Sequence, residues 1–326
     1  MSLIAAIPLG ILPMVIYPLF LYWMDRFEKE PLRLIFAAFL WGFIPAAILS
    51  LISQLIFGAP LLLLDDTGAL SNVVGSIVLA PITEEFFKGL AVVGISIIWH
   101  DEFDGVFDGI IYGAVVGFGF AAIENILYFL DGDASLFVFR AVLFGLNHAF
   151  FTSITGIGLG VARNARQGWV RIAAPLLGMA GAMTAHFIHN TATTFAGQAP
   201  GLLCVAGLNA WGGVLLVFIV MVLAIRRERK WITDQLRDEV SSHTLTANQY
   251  AVVSAPLRRF SVRLATLFSG GPVAYWKLGR YFNTLTELAY KKNAFERRGE
   301  KGARADLIEL LRTRAIEQGA LFSDLS

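Results

Sequence analysis

Ala80-Pro81-Ile82-Thr83-Glu84-Glu85-Phe86-Phe87-Lys88-Gly89-Leu90 places two adjacent glutamates and a lysine inside an apolar run from about Val73 to Trp99. A run of that length reads as a membrane span, because about 20 apolar residues cross the hydrocarbon core. Ionisable groups at that depth are costly, and their default reading is function. At helical spacing Glu84 and Lys88 share a face and can neutralise each other, whereas Glu85 points about 100° away and needs another partner. The structural alternative is a salt bridge that holds a helix bundle together.

Around this stretch the composition sets the class. Hydrophobic residues make up 56% of the chain and charged residues 16%, with a mean hydropathy of +0.64, which together specify an integral membrane protein. A net charge of +1 gives no footprint for nucleic acid, and no such partner is expected. A single cysteine, Cys204, excludes internal disulfides and cysteine-based metal sites. The first apolar run has no basic segment before it and is too long for a signal peptide, so Leu3 to Trp23 reads as a first span.

Seven apolar segments follow one another at about 3–23, 34–57, 73–99, 107–130, 139–161, 172–195 and 202–225. Basic residues follow the first (Arg26, Lys29, Arg33), fifth (Arg163, Arg166, Arg171) and seventh (Arg226 to Lys230). The connections after spans two, four and six hold no Lys or Arg apart from Arg140 at the start of span five. Positive charge marks the cytoplasmic side, so the expected topology has the N-terminus outside and the C-terminus in the cytoplasm. The expected fold is all-α: a polytopic helix bundle over residues 1–230 and a small cytoplasmic helical region over 231–326. In that region helical patterns near 246–266, 272–297 and 303–318 are broken by Ser269-Gly270-Gly271-Pro272 and by Gly299 to Gly302. The loop from Asp25 to Pro31 reads as a solvated interfacial turn. Gly105, Gly109, Gly113 and Gly117 form a small-residue stripe, so span four should sit centrally and pack closely.

Polar groups recur inside the spans. Span four holds Glu124-Asn125, span five Asn147-His148 with Thr152, and span six His186, His189 and Asn190. His186 and Asn190 share a face, with His189 about 60° away. On the expected topology Glu84 lies roughly 17 Å below the outer boundary, His148 and His186 roughly 13 Å, and Glu124 roughly 9 Å, at about 1.5 Å per residue. One site could contain them all. A carboxylate beside a neutral imidazole can activate water, and a second imidazole with a carboxamide can stabilise an oxyanion. Such a set suits peptide hydrolysis without a nucleophilic side chain. The same residue types also suit a divalent metal such as zinc, with Glu84, Glu85, Glu124, His148 and His186 as the available ligands and a position left for water. Two other readings use the same residues: a proton-coupled transporter, for which neither inverted repeats nor a helix broken at mid-membrane is evident, and a non-catalytic scaffold.

Four motifs in order, Glu84-Glu85-x-x-Lys88, Phe120-x-x-x-Glu124-Asn125, Phe144-x-x-x-His148 and His186-x-x-x-Asn190, make the chain resemble the PrsW family of bacterial intramembrane proteases, relatives of the CAAX prenyl endopeptidases. The Asp25 to Pro31 loop and Phe107 to Gly113 also resemble it, over roughly residues 10 to 225. The resemblance implies a bacterial cell-membrane endopeptidase in which Glu84 and His148 activate water and His186 with Asn190 forms the oxyanion site. Glu85 and Lys88 would support them, and Glu124 belongs to the PrsW pattern alone. Where the prenyl endopeptidases carry Glu-Glu-x-x-x-Arg, this chain has Glu-Glu-x-x-Lys. The implied partner is a membrane-protein substrate, of which a single-span anti-sigma factor is the best-known kind.

Overall fold

A computed structural model describes residues 1–24, 29–65, 67–132, 135–298 and 305–322. The charged positions Asp25 to Glu28 and the Gly299 to Gly302 break lie outside the described residues. Those described are helical, with no strand among them. The chain divides into two compact units, Met1–Trp23 with Glu30–Val222, and Met24–Lys29 with Leu223–Ser326.

The first unit begins with α1 (Leu3–Met24). α2 (Leu32–Trp41) passes through a π turn, Gly42–Ala46, into α3 (Ala47–Leu62). Pro45 sits in that turn, where its missing N–H cannot complete a regular ladder. α4 (Ala69–Val74) likewise passes through a π turn, Gly75–Leu79, into α5 (Ala80–Ile98). α6 (Val106–Asp131) opens with Asp108 accepting the backbone N–H groups of Asp104 and Gly105. A π segment, Val138–Leu143, leads to α7 (Asn147–Asn164), and α8 is Gly168–Thr194. α9 (Leu202–Gly207) and a fourth π turn, Leu208–Gly212, lead into α10 (Gly213–Ser241).

Six of these helical stretches among the described residues are long and apolar enough to cross a membrane: Leu3–Met24, Leu32–Leu62, Val106–Asp131, Val138–Asn164, Gly168–Thr194 and the start of Leu202–Ser241. α5, which carries Glu84, Glu85 and Lys88, has 19 residues and is not one of the six. α6 is the buried centre, while α1, α3 and α8 turn leucine and isoleucine outward, as lipid-facing helices do. Its glycine stripe meets α7. A Cβ on Gly109 would lie 2.1 Å from the Gly156 carbonyl oxygen, and one on Gly117 would lie 2.3 Å from that of His148. The two backbones are therefore in direct contact, and the register of α7 on α6 is set where His148 begins its work.

The second unit continues from the polar part of α10 into α11 (Ala247–Val253), α12 (Pro256–Arg298, kinked at Gly271) and α13 (Ala305–Gly319). Leu278, Tyr281, Phe282, Leu285, Leu288 and Ala289 are buried together against Ile232, Leu236 and Leu311. Within this core Glu239 is fully buried and held by Lys292 at 2.6 Å and Arg312 at 2.8 Å.

Candidate functional site

α5, α6, α7 and α8 bring every residue expected at the site into the first unit. Glu85 has no exposed surface. Its carboxylate accepts from Lys88 Nζ at 2.5 Å, His186 Nδ1 at 3.0 Å and Thr152 Oγ1 at 3.1 Å. Both oxygens are thus engaged, and the i,i+3 partner of Lys88 is closer than Glu84, whose Oε2 lies 3.8 Å away. Lys88 is itself fully buried and also lies over the Phe120 ring at 4.4 Å.

His148 takes its contacts from two sides. Lys88 Nζ lies 3.0 Å from Nδ1, and Glu124 Oε2 lies 2.7 Å from Nε2. An ammonium can only donate, so Nδ1 accepts and Nε2–H donates to Glu124. The carboxylate hydrogen-bonded to His148 is therefore Glu124; Glu84, which the family resemblance implies as its partner in activating water, makes no hydrogen bond to it among those described. Glu124 also receives Arg140 Nη2 at 2.7 Å; Arg140 Nε donates to Asn125 Oδ1 at 3.1 Å, and the guanidinium lies 3.7 Å from the Tyr128 ring centre.

His186 is stacked on Phe151 at 4.8 Å. Because Glu85 can only accept, His186 Nδ1 carries the hydrogen, and in the neutral ring Nε2 presents a lone pair. That lone pair faces Glu84 Oε2 at 3.9 Å. Glu84 Oε1 accepts from Gln54 Nε2 at 3.4 Å, while Oε2 is buried without a hydrogen-bond partner. Asn190 donates to the carbonyl of Ser76 in the π turn before α5, at 2.9 Å. Asn147 Nδ2 lies 3.0 Å from His189 Nε2, and its Oδ1 is buried without a partner.

A cavity of about 400 Å³ is lined by Glu124, Arg140, Asn147, His148, His186 and Asn190 among others, with Glu84, Glu85 and Lys88 behind this lining. Three residues that the sequence reading left out of the site belong to it. Arg140 stands at the start of span five with no partner legible at helical spacing, and from the π segment it reaches Glu124 and Asn125. His189 was set aside on helical angle, yet it lines the same cavity. Gln54 carried no signal of its own in span two.

The donor set fits a divalent cation. One ligand atom each from Glu84, His148 and His186 lies within 4.8 Å of the others, all three residues being buried or nearly so. With Glu84 ionised and His186 neutral, lone pairs on Glu84 Oε2 and His186 Nε2 lie 3.9 Å apart, and no hydrogen bond is made to that oxygen. With all three carboxylates ionised, Glu84, Glu85 and Glu124 meet two cations, Lys88 and Arg140, which leaves one negative charge for a cation to balance. Glu85 behind His186 is the carboxylate–histidine arrangement that orients a metal ligand. For His148 to join the set, one of its two present hydrogen bonds must give way.

Residues 30–226 match a family described as PrsW family intramembrane metalloprotease. Among curated proteins, the chain is 35% identical over 167 residues to Protease PrsW of Geobacillus kaustophilus, covering 50% of this chain and 67% of that one. It is 32% identical over 172 residues to Protease PrsW of Bacillus subtilis, covering 52% and 75%. Against Protease PrsW of Clostridioides difficile it is 30% identical over 141 residues, covering 43% and 56%. No solved structure matches the chain.

Proposed function

This chain belongs to the PrsW family of intramembrane metalloproteases, and from that membership we propose how its buried residues carry out the reaction. The protein is an integral membrane peptide hydrolase acting on a membrane-protein substrate. Our reading is that Glu84, His148 and His186 hold a divalent cation, zinc being the best match to one carboxylate and two imidazoles. The observation that carries it is the facing pair of lone pairs on Glu84 Oε2 and His186 Nε2. When bound, such an ion acts as a Lewis acid and makes water nucleophilic near neutral pH.

The chain's own residues do the rest. Glu85 keeps the proton on His186 Nδ1, so that Nε2 stays available. Lys88 anchors Glu85, and its contact with His148 Nδ1 is the one that would give way for that nitrogen to serve as a ligand. Glu124, held by Arg140, fixes the orientation of His148 at the cavity wall. Arg140 has N–H groups beyond the two that bond Glu124 and Asn125, and it lines the cavity with Asn190. These two are our candidates for donors to the carbonyl oxygen of the scissile bond, Asn190 by exchanging its bond to Ser76.

A second reading keeps Glu84 as the base that activates water together with His148. It is favoured by the fact that both nitrogens of His148 are already engaged. The specific substrate we favour is a single-span anti-sigma factor in the bacterial cell membrane, with the N-terminus of the protease outside and the C-terminus in the cytoplasm. The site is buried among helices of the first unit, as a substrate cut within the bilayer requires.

Purified protein in detergent, a candidate single-span substrate and elemental analysis test the assignment. About one equivalent of zinc should copurify, and both Glu84→Gln and His186→Gln should lose metal and cleavage together while remaining folded. A chelator should abolish cleavage and added zinc restore it. If instead the wild type holds no metal, cleavage ignores the chelator and Glu84→Gln still abolishes it, Glu84 acts directly on water.

A further inference from the structure

α11, α12 and α13 lie beyond the residues that match the family, and α12 forms a hairpin with exposed apolar side chains. Gly271 adopts φ 75°, a left-handed conformation natural to glycine, with Pro272 directly after it. The two arms fold back side by side. Arg259 Nη1 donates to Thr286 Oγ1 at 3.1 Å and lies 5.2 Å from the Phe282 ring. Nearer the turn, Arg263 lies 4.4 Å from the Tyr275 ring and against Gly279. Tyr281, Phe282 and Leu285 point into the unit's core.

The opposite edge and the tip are apolar and exposed. Phe268 is 82% exposed, Val273 66% and Trp276 59%, with Leu257 and Leu264 further along the first arm. At about 100° per residue, Leu257, Leu264 and Phe268 fall within an arc of about 40°, so this is one stripe and not scattered residues. Arg258, Lys277 and Arg280 are exposed beside it, and Arg280 lies 4.9 Å from the Trp276 ring. From Val240 to Thr286 the chain has five Arg or Lys residues (Arg258, Arg259, Arg263, Lys277, Arg280) and no Asp or Glu.

We propose that the tip of this hairpin, around Phe268 and Val273, dips into an anionic membrane surface, with Trp276 at the headgroup level and Lys277 and Arg280 on the lipid headgroups. An exposed apolar stripe rimmed by basic side chains is the pattern of an interfacial helix. Tryptophan favours the same depth, and long basic side chains can lay their stems along apolar surface while their charges reach the headgroups. The lack of any acidic residue over the stretch fits an anionic surface and disfavours a second copy of the same tip, whose charge would repel it. The apolar part of α10 precedes this unit directly, so a bilayer is within chain reach and the docking is effectively intramolecular.

The full chain with Cys204→Ser and a single new cysteine tests this. Ser269→Cys, Val273→Cys and, as a control on the far part of the second arm, Asn283→Cys each place a polarity-sensitive fluorophore on an exposed position. Each is reconstituted in nanodiscs of phosphatidylcholine alone or with phosphatidylglycerol. In the anionic discs, labels at 269 and 273 should shift to the blue and be quenched by a lipid-borne quencher, while the label at 283 stays in water. Lys277→Glu with Arg280→Glu should remove the shift, and each single reversal should weaken partition by about fivefold or more, as the loss of roughly 1 kcal/mol per basic residue implies. The neutral pair Lys277→Gln and Arg280→Gln should also weaken it, which guards against an effect of the introduced acids alone. Water-like emission at 269 and 273 in both kinds of disc overturns the proposal. So does a shift that ignores headgroup charge, or one that grows with the number of protein copies per disc, which would mean a protein partner.

Discussion

Lys88 and Glu85 are both fully buried, and a lone charge in such surroundings would be several kcal/mol unfavourable. Their close pairing, with Thr152 and His186 completing the carboxylate's contacts, makes them a rigid base on which the two histidines rest. Arg140 does the same for Glu124 from the cavity side, though it retains some exposure. If Arg140 both positions Glu124 and His148 and donates to the scissile carbonyl, Arg140→Ala should lower kcat by about 10²-fold or more, with KM and bound metal unchanged. Arg140→Lys keeps the charge but loses the fork that reaches Glu124 and Asn125 together, and should recover only part of the rate. A rise in KM with kcat preserved would instead make Arg140 a substrate-binding group. Which residues are buried polar groups was legible in the sequence, because each interrupts an apolar run. Which of them pair was not: helical spacing relates neighbours on one helix, and the contacts of Glu124 with His148 and of Glu85 with His186 cross between helices.

At the scale of the helices, α6 decides where these groups stand. The glycine repeat from Gly105 to Gly117 was visible as a packing face, and the backbone contact with α7 follows from it. The π turns were not visible. Each depends on a local mismatch of ladder and packing that composition does not report, and two of them, Gly75–Leu79 and Val138–Leu143, carry Ser76 and Arg140 into the site. Gly117 gives a direct test of the α6–α7 contact. A methyl group there meets the His148 carbonyl and must displace α7, at a typical overpacking cost of about 1–3 kcal/mol. Gly117→Ala should therefore insert normally, melt at a lower temperature in detergent and lose at least about tenfold in cleavage rate. Gly94→Ala on α5, where nothing lies within 4 Å of the new methyl, is the matched control and should leave both unchanged. Equal behaviour of the two variants would show that His148 is not placed through this contact.

For the molecule as a whole, the expected all-α class agrees with the helical content. The number of crossings turns on one helix, the charged one from Ala69 to Ile98. Its ends touch opposite ends of its neighbours. Near its start, Ser76 accepts from Asn190 and contacts Thr194, at the end of α8. Just past its finish, His100 and Asp104 are reached by Arg163 and Asn164, at the end of α7. α7 and α8 are antiparallel neighbours joined by a short turn, so α5 and the π turn before it run the full depth of both. That arrangement supports seven crossings, with the three charges of the site inside the third. A topology reporter should therefore report opposite sides of the membrane when inserted at Gly68 and at Asp101. One fused after Lys230 should agree with Asp101, and basic-loop asymmetry assigns that side to the cytoplasm. If Gly68 and Asp101 report the same side, the glutamate helix enters and leaves by one face. The bundle then has six crossings, and the depth assigned to Glu84 must be abandoned with the seventh.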